Sequence, residues 1–249
     1  MTPLAALAVL AAGAVAGTVN TIVGSGSLVS FPTLLAVGYP SVLANVSNTV
    51  GIVPGSISGA VGYRAELAGQ RRRCLVFGTC SALGALTGGL LLLTLPGAVF
   101  TAVVPVLILL ACVLIALQPR LKRPAGSGSP SRLRLVAGLV GVYATGVYGG
   151  YFGAAQGVIL VGLLGLVVDD DLQRINALKN VLAAVVNGVA TVLFVCVSHI
   201  AWLPAGLLAV GSVAGALIGA RVGRRIPDAV LRTVIVVVGT AVAIILLVR

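Results

Sequence analysis

The sequence predicts an all-α membrane protein, a polytopic bundle of helices, and three observations lead to that class. The 249-residue chain is 59% hydrophobic and only 8% charged, whereas soluble domains carry roughly 25% charged residues. The mean hydropathy is +1.18, and several apolar stretches approach or exceed the roughly 20 residues with which a helix spans a bilayer. These stretches do not alternate apolar with polar residues, as the strands of a membrane barrel do.

Apolar segments follow one another along the chain, the same number on each side of one polar linker. The linker, residues 118–134, contains Pro-Ala-Gly-Ser-Gly-Ser-Pro and several basic residues, a composition typical of a boundary. It separates a first membrane repeat, residues 1–117, from a second, residues 135–249. The segments lie at 3–22, 27–37, 42–63, 74–94 and 98–117, and then at 135–150, 154–168, 172–198, 203–221 and 229–248.

The two halves are similar in sequence as well as in layout. GTVNTIVGSGSLVSFPTLL at 17–35 resembles GVYGGYFGAAQGVILVGLL at 146–164. ANVSNTV at 44–50 resembles INALKNV at 175–181, which pairs Asn45 with Asn176 and Asn48 with Lys179. The ordered matches indicate an internal duplication.

The charges of the loops predict that the two copies face opposite ways. The loop at 64–73 is strongly basic, whereas the matching loop at 198–202 has no Lys or Arg. The next pair reverses this, because 95–97 is uncharged and 221–232 is rich in Arg. Basic loops are cytoplasmic, so equivalent loops fall on opposite faces, as in inverted-topology repeats. The linker is then cytoplasmic and both termini lie outside.

Two segments, 27–37 and 154–168, are short. Eleven helical residues reach only about 17 Å, whereas the hydrocarbon core is about 30 Å thick. Each segment can be a half-helix that forms a re-entrant hairpin with the segment before it. Alternatively, each segment crosses the membrane fully, where the membrane is thin or the helix is tilted. Both alternatives leave an odd number of crossings in each half.

Lys179 is the most informative single residue, because it is the only Lys or Arg deep within an apolar segment. A cation in hydrocarbon is costly, so it usually faces a partner, a cavity or a ligand. The five acidic residues all lie outside the apolar segments, and the charge of Lys179 therefore indicates an anion site. Asn176 and Asn180 share its helix face, and Asn187 lies two turns beyond Asn180.

Glycine-rich elements before the two short segments complete the predicted site. We expect Ser27 to cap the helix that follows it, and we expect the N-termini of the two short helices to attract an anion through their dipoles and unsatisfied N–H groups. Packing of small residues and hydrogen bonds between helices are the alternative explanation. The predicted substrate contacts are Asn20, Gly24, Ser25, Gly26, Ser27, Asn45, Asn48, Gly149, Gly153, Gln156, Asn176, Lys179 and Asn180.

These motifs resemble those of the TauE/SafE sulfite exporter family, also called the TSUP anion transporters. The resemblance rests on residues 16–64, 146–166 and 174–194, which contain a Gly-rich element, a Pro in the first half, and an Ala-Asn-x-x-Asn-like helix start. Ala154 and Ala155 depart from a more Gly-rich second element, which favours Gln156 and Lys179 over main-chain contacts there.

The resemblance implies transport of a small sulfur-containing anion, such as sulfite, thiosulfate or an organosulfonate, across the bacterial cytoplasmic (inner) membrane. The predicted function is a secondary transporter that works by alternating access; a passive anion channel and a non-transporting membrane scaffold are the alternatives. An enzyme is not expected, because no set of catalytic side chains or metal ligands falls at membrane depth. No cofactor, metal or nucleic-acid partner is expected. The expected surroundings of the chain are membrane lipids, and the sequence leaves open whether the chain forms a homo-oligomer.

Overall fold

A computed structural model describes residues 1–121 and 132–222 and the single positions 233, 237, 240 and 244. These residues contain nine α-helices and no strand. The helices are α1 (Pro3–Ile22), α2 (Ser27–Ala36), α3 (Ser41–Gly62), α4 (Arg71–Thr94), α5 (Gly97–Leu121), α6 (Arg132–Tyr151), α7 (Gln156–Val167), α8 (Leu172–Val197) and α9 (Trp202–Val222). Apart from the single positions, the predicted segment 229–248 lies outside the described residues, as does 122–131 within the predicted linker.

Six of these helices are long and apolar enough to cross a membrane: α1, α4, α5, α6, α8 and α9. Helix α3 has 22 residues, a length of about 33 Å, but Asn45, Ser47 and Asn48 make its first half more polar. The predicted all-α, multi-span class is confirmed. Helix α5 ends at Leu121 and α6 begins at Arg132.

Each short helix follows a break made by a glycine. Gly24 has a φ of +90° and Gly153 a φ of +77°, a left-handed conformation that glycine adopts without steric strain. The N–H of Gly24 bonds to the carbonyl of Val19 at 3.0 Å, and the N–H of Gly153 bonds to that of Tyr148 at 3.1 Å. A positive-φ glycine that bonds to the carbonyl five residues earlier thus terminates α1 and α6 in the same way.

The short helices, of 10 and 12 residues, fold back along the helices that precede them. A Cβ on Gly138, near the start of α6, would lie 2.7 Å from a methyl carbon of Val167, the last residue of α7. A Cβ on Gly26, just before α2, would lie 2.2 Å from the carbonyl oxygen of Ala16 in α1. Two helical hairpins, α1–α2 and α6–α7, result.

Helices α3 and α8 pack together and run in opposite directions. At one end, Arg174 of α8 donates a hydrogen bond to the carbonyl of Ala68, just after α3, at 3.0 Å. At the other end, the N–H of Ala201, just after α8, donates to Ser47 Oγ at 2.9 Å. We call the first the basic end (residues 64–73 and 169–174) and the second the neutral end (residues 38–43 and 198–201).

The remaining helices pack in matching pairs across the two halves. Helix α1 packs against α9 as α6 packs against α4, and α3 packs against α9 as α8 packs against α4. Glycines bring the backbones together: a Cβ on Gly17 would lie 2.1 Å from the carbonyl oxygen of Ser212, and one on Gly88 would lie 1.9 Å from that of Val147. Close approach of this kind is typical of helix packing in membranes, and it leaves α3 and α8 at the centre.

Candidate anion-binding site

The two helix breaks meet each other at the centre of the bundle. The N–H of Gly157 donates a hydrogen bond to the carbonyl of Gly24 at 2.9 Å. A Cβ on either residue would lie 2.4 Å from the Cα of the other. The glycine-rich elements of the two halves, which lie far apart in the sequence, are therefore in direct main-chain contact.

Lys179 reaches into this region from α8. Its side chain is fully buried, and its ammonium donates to the main-chain carbonyls of Asn20 at 3.0 Å and Thr21 at 3.2 Å. Asn180 Nδ2 also donates to the Thr21 carbonyl, at 3.2 Å. Both carbonyls lie in the last turn of α1, where they have no partner within the helix. These bonds join the ammonium of Lys179 to carbonyls at the negative end of a helix dipole.

The first half provides a corresponding contact to the second. Asn45 of α3 donates through Nδ2 to the carbonyl of Tyr151, the last residue of α6, at 3.0 Å. Each of the central helices α3 and α8 thus binds the end of the broken helix that belongs to the other half. Only one of the two contacts includes a charged donor, Lys179.

The prediction that Ser27 caps α2 is wrong. Ser27 is already the first helical residue, the cap position is Gly26, and Gly26 makes no side-chain cap bond. The hydroxyl of Ser27 instead accepts a hydrogen bond from Asn48 Nδ2 at 3.3 Å. The cap position of α7 is Ala155, with a φ of +61° and no side-chain cap bond. Neither short helix has the side-chain cap that usually satisfies a helix N-terminus.

Gln156, at the start of α7, occupies the space beside Gly149. A Cβ on Gly149 would lie 2.4 Å from Gln156 Oε1, so this glycine makes room for the carboxamide, and Gly153 forms the break between them. Gln156 Nε2 and Ser25 Oγ are buried and have no hydrogen-bond partner in the described part of the chain. Buried donors are rarely left unsatisfied, so these two are free to bind a ligand or water.

Three amide oxygens of the predicted site also have no partner within the described ranges. They are Oδ1 of Asn45, Asn48 and Asn176. All three side chains are buried on the faces of α3 and α8 that point into the bundle.

Sequence reasoning missed a polar cluster next to this region. Ser56 Oγ accepts hydrogen bonds from Asn20 Nδ2 at 3.2 Å and from Asn187 Nδ2 at 3.1 Å. Ser56 lies about three helical turns after Asn45, as Asn187 lies about three turns after Asn176. That shared spacing was the available signal for Ser56.

The basic end of the bundle is held by an ion-pair cluster. Asp170 pairs with Arg73 at 2.5 Å and with Arg174 at 2.7 Å. Burial raises the pKa of Asp170, but hydrogen bonds from Arg73 and from the N–H of Asp171, together with the charge of Arg174, outweigh burial and hold the pKa below its usual value. Asp171 accepts from the N–H groups of Gln173 and Arg174 and so caps the N-terminus of α8.

The helices and the buried polar centre define a multi-pass helical membrane protein. Residues 9–246 match the family described as "Sulfite exporter TauE/SafE", and the chain belongs to this family, as its motifs predicted.

Curated bacterial relatives align over most of the chain. A "Probable membrane transporter protein" of Haemophilus influenzae is 28% identical over 84% of this chain and 81% of its own. "Probable membrane transporter protein YfcA" of Escherichia coli is 25% identical over 90% and 82%. "Probable membrane transporter protein ORF9" of Sinorhizobium sp is 27% identical over 94% and 88%. No solved structure matches the chain.

Proposed function

We propose that the chain is a secondary transporter, and not an enzyme, that moves a small sulfur-containing anion across the bacterial cytoplasmic membrane. The observation that carries the proposal is the fully buried ammonium of Lys179 beside the meeting point of two broken helices. The names of the relatives support transport, and the description of the family supports sulfite, with thiosulfate or an organosulfonate as chemically related candidates.

The balance of charge at the centre favours an anion. The end of α1 supplies about half a negative charge, whereas Lys179 in its ammonium form would supply a full positive one. The N-termini of α2 and α7 add partial positive charge and have no side-chain caps. Among the described residues, Glu66 and the aspartates at 169–171 lie between helices and not at the centre. A small oxyanion would balance the excess and would accept hydrogen bonds from Ser25 Oγ and Gln156 Nε2.

The two halves act, in this proposal, as inverted repeats that rock about the central site. Residues 1–117 and 135–249 form the repeats, and residues 118–134 join them. The opposite directions of α3 and α8 and the matching helix pairs support this arrangement. The hairpins α1–α2 and α6–α7 are then re-entrant, and their breaks lie at membrane depth, where irregular backbone occurs only if it is buried in protein or lines a cavity.

The charges at the two ends of the bundle determine its proposed orientation in the membrane. The basic end carries Arg64, Arg71, Arg72 and Arg73, and such loops are cytoplasmic. The neutral end then faces outward, and the cluster around Asp170 closes the cytoplasmic side. Alternating access requires the ion pairs of Asp170 to separate when the site opens inward.

Counterflow of radiolabelled sulfite into proteoliposomes tests the proposal. The wild-type protein is expected to show saturable counterflow, driven by unlabelled sulfite trapped inside. Lys179→Met, which keeps the bulk and removes the charge, is expected to abolish it. Arg72→Gln is the matched control, because it removes one positive charge at an exposed position and is expected to retain wild-type counterflow.

Other outcomes separate the alternatives. An anion current without saturable counterflow would identify a channel. No movement of sulfite, thiosulfate or taurine, and no thermal stabilisation by any of them, would favour a scaffold. Wild-type counterflow by Lys179→Met would remove Lys179 from the mechanism.

A further inference from the structure

Ser56 and Asn187 form a polar contact across α3 and α8 that the proposed mechanism does not use. Ser56 Oγ accepts from Asn187 Nδ2 at 3.1 Å and from Asn20 Nδ2 of α1 at 3.2 Å. Ser56 is almost fully buried. The hydroxyl thus joins three helices that come from both halves of the chain.

The two residues occupy equivalent positions in the repeats. The match of 44–50 with 175–181, continued along α3 and α8 without a gap, pairs Ser56 with Asn187. A contact between two equivalent residues lies close to the axis that relates the halves. When two repeats rock about such an axis, groups on it move least, so this contact is available to a substrate in the inward-facing and outward-facing states alike.

The carboxamides of this cluster are not fully enclosed by the packed helices. Asn20 and Asn187 are each partly exposed, as are Ala184 and Thr191 one turn from Asn187, but the four other side chains one turn away on the same helix faces are buried. Those neighbours are Ala16, Val23, Ala183 and Ala190, of which none is more than 5% exposed. A lipid-facing stripe would expose the neighbours too, so the exposed edges of Asn20 and Asn187 face the interior of the bundle.

The chemistry of the cluster suits recognition of shape more than of charge. A hydroxyl oxygen has two lone pairs, and Ser56 Oγ uses both to accept, so its proton remains to be donated. Each carboxamide has a second N–H. Three neutral donors at fixed positions discriminate between anions by the number and spacing of their oxygens, while the cation at Lys179 attracts all of them.

We propose that Ser56, held by Asn20 and Asn187, determines which anion the protein carries by binding the substrate oxygens on the axis between the halves. This inference rests on the proposed transport function. Its consequence is that loss of the hydroxyl changes the ranking of anions, whereas loss of the Lys179 charge weakens binding of every anion.

The test compares selectivity in two serine variants of the same helix. Ser56→Ala removes the shared hydroxyl. Ser58→Ala is the control, because Ser58 Oγ only bonds back to the carbonyl of Pro54 in its own helix, at 2.8 Å. Inhibition of radiolabelled sulfite counterflow by thiosulfate, sulfate and taurine gives ratios of affinity that do not depend on how much protein is reconstituted.

We expect Ser56→Ala to change at least one ratio about tenfold, the effect of about one lost hydrogen bond, and Ser58→Ala to leave all ratios unchanged. Asn187→Ala removes one of the two amides that hold Ser56, and we expect it to change the same ratio. If Ser56→Ala cannot be purified, Asn187→Ala tests the role of Ser56 in its place. If Ser56→Ala and Asn187→Ala both keep the affinity ratios of the wild-type protein, the role of Ser56 is overturned. Saturable counterflow by the wild-type protein would still support the transporter in that case. Absence of saturable counterflow in the wild-type protein would overturn both.

Discussion

The ammonium of Lys179 on α8 lies 3.0 Å from the main-chain carbonyl oxygen of Asn20 on α1, a residue of the other half. A broken helix in a membrane leaves carbonyls that water cannot reach, and the surrounding protein has to satisfy them. Here α8 satisfies those of α1, and Asn45 of α3 satisfies the last carbonyl of α6. Each half therefore stabilises the break in the other, and any rearrangement of the halves acts directly on the breaks.

Loss of the Lys179 ammonium should lower stability. Lys179→Met leaves the carbonyl of Asn20 without this donor, whereas the carbonyl of Thr21 keeps Asn180. We expect the free energy of unfolding to fall by about 2 kcal/mol, in the range for a hydrogen bond to a charged group. The measurement is a lower Tm of the detergent-solubilised protein. Asn180→Leu is the comparison and should cost less, since Lys179 still bonds to both carbonyls. Equal stability of Lys179→Met and wild type would contradict the capping role.

Gly24 should tolerate no side chain. Gly24→Ala places a Cβ 2.4 Å from the Cα of Gly157 and forces a non-glycine residue to a φ of +90°. We expect the variant not to yield folded protein, and Gly157→Ala to fail for the same steric reason. Gly206→Ala on α9 is the control, because nothing lies within 4 Å of its Cβ position. The measurement is the yield of monodisperse protein in size-exclusion chromatography; a normal yield of Gly24→Ala would show that the breaks do not touch.

The Asp170 cluster should make stability depend on acid pH. The pKa of Asp170 is lower in the folded protein than its ordinary value. Its ion pairs therefore stabilise the fold above the unfolded pKa of about 3.9, and this stabilisation is lost as the pH falls through the lower folded pKa. We expect Asp170→Asn to lower Tm at pH 7 and to flatten the fall of Tm in acid. Asp169→Asn, at an exposed position, should follow the wild-type curve; if Asp170→Asn does too, the cluster does not stabilise the fold.

Labelling of single cysteines should reveal the orientation. The four native cysteines are first replaced by alanine. In cells with a permeabilised outer membrane, an impermeant maleimide should label His199→Cys at the neutral end at once. It should label Arg72→Cys at the basic end only after the inner membrane is disrupted. The reverse order would invert the proposed sidedness, and simultaneous labelling would show that the two ends do not lie on opposite faces.

Part of the site was predictable because its residues are unusual where they occur. A Lys and several Asn side chains in apolar segments are costly in lipid, so their presence indicates an inward face. Two paired positive-φ glycines were visible as glycine-rich elements ahead of short segments. Ser56 was not identified, because a single serine that follows a proline and a glycine is not unusual in a membrane helix. Its hydrogen-bond partners are seen only in the folded chain.

Hydropathy and segment length were sufficient to predict a bundle of membrane helices with two short members, because burial in lipid constrains composition residue by residue. Hydrogen-bond partners could not be predicted in this way, because they depend on which parts of the backbone approach one another. Only the folded chain shows that the cation of Lys179 binds carbonyls of α1, that Gly24 meets Gly157, and that Asn187 shares the hydroxyl of Ser56 with Asn20. Main-chain carbonyls and helix ends carry no side-chain signature, and long-range packing decides which donors reach them.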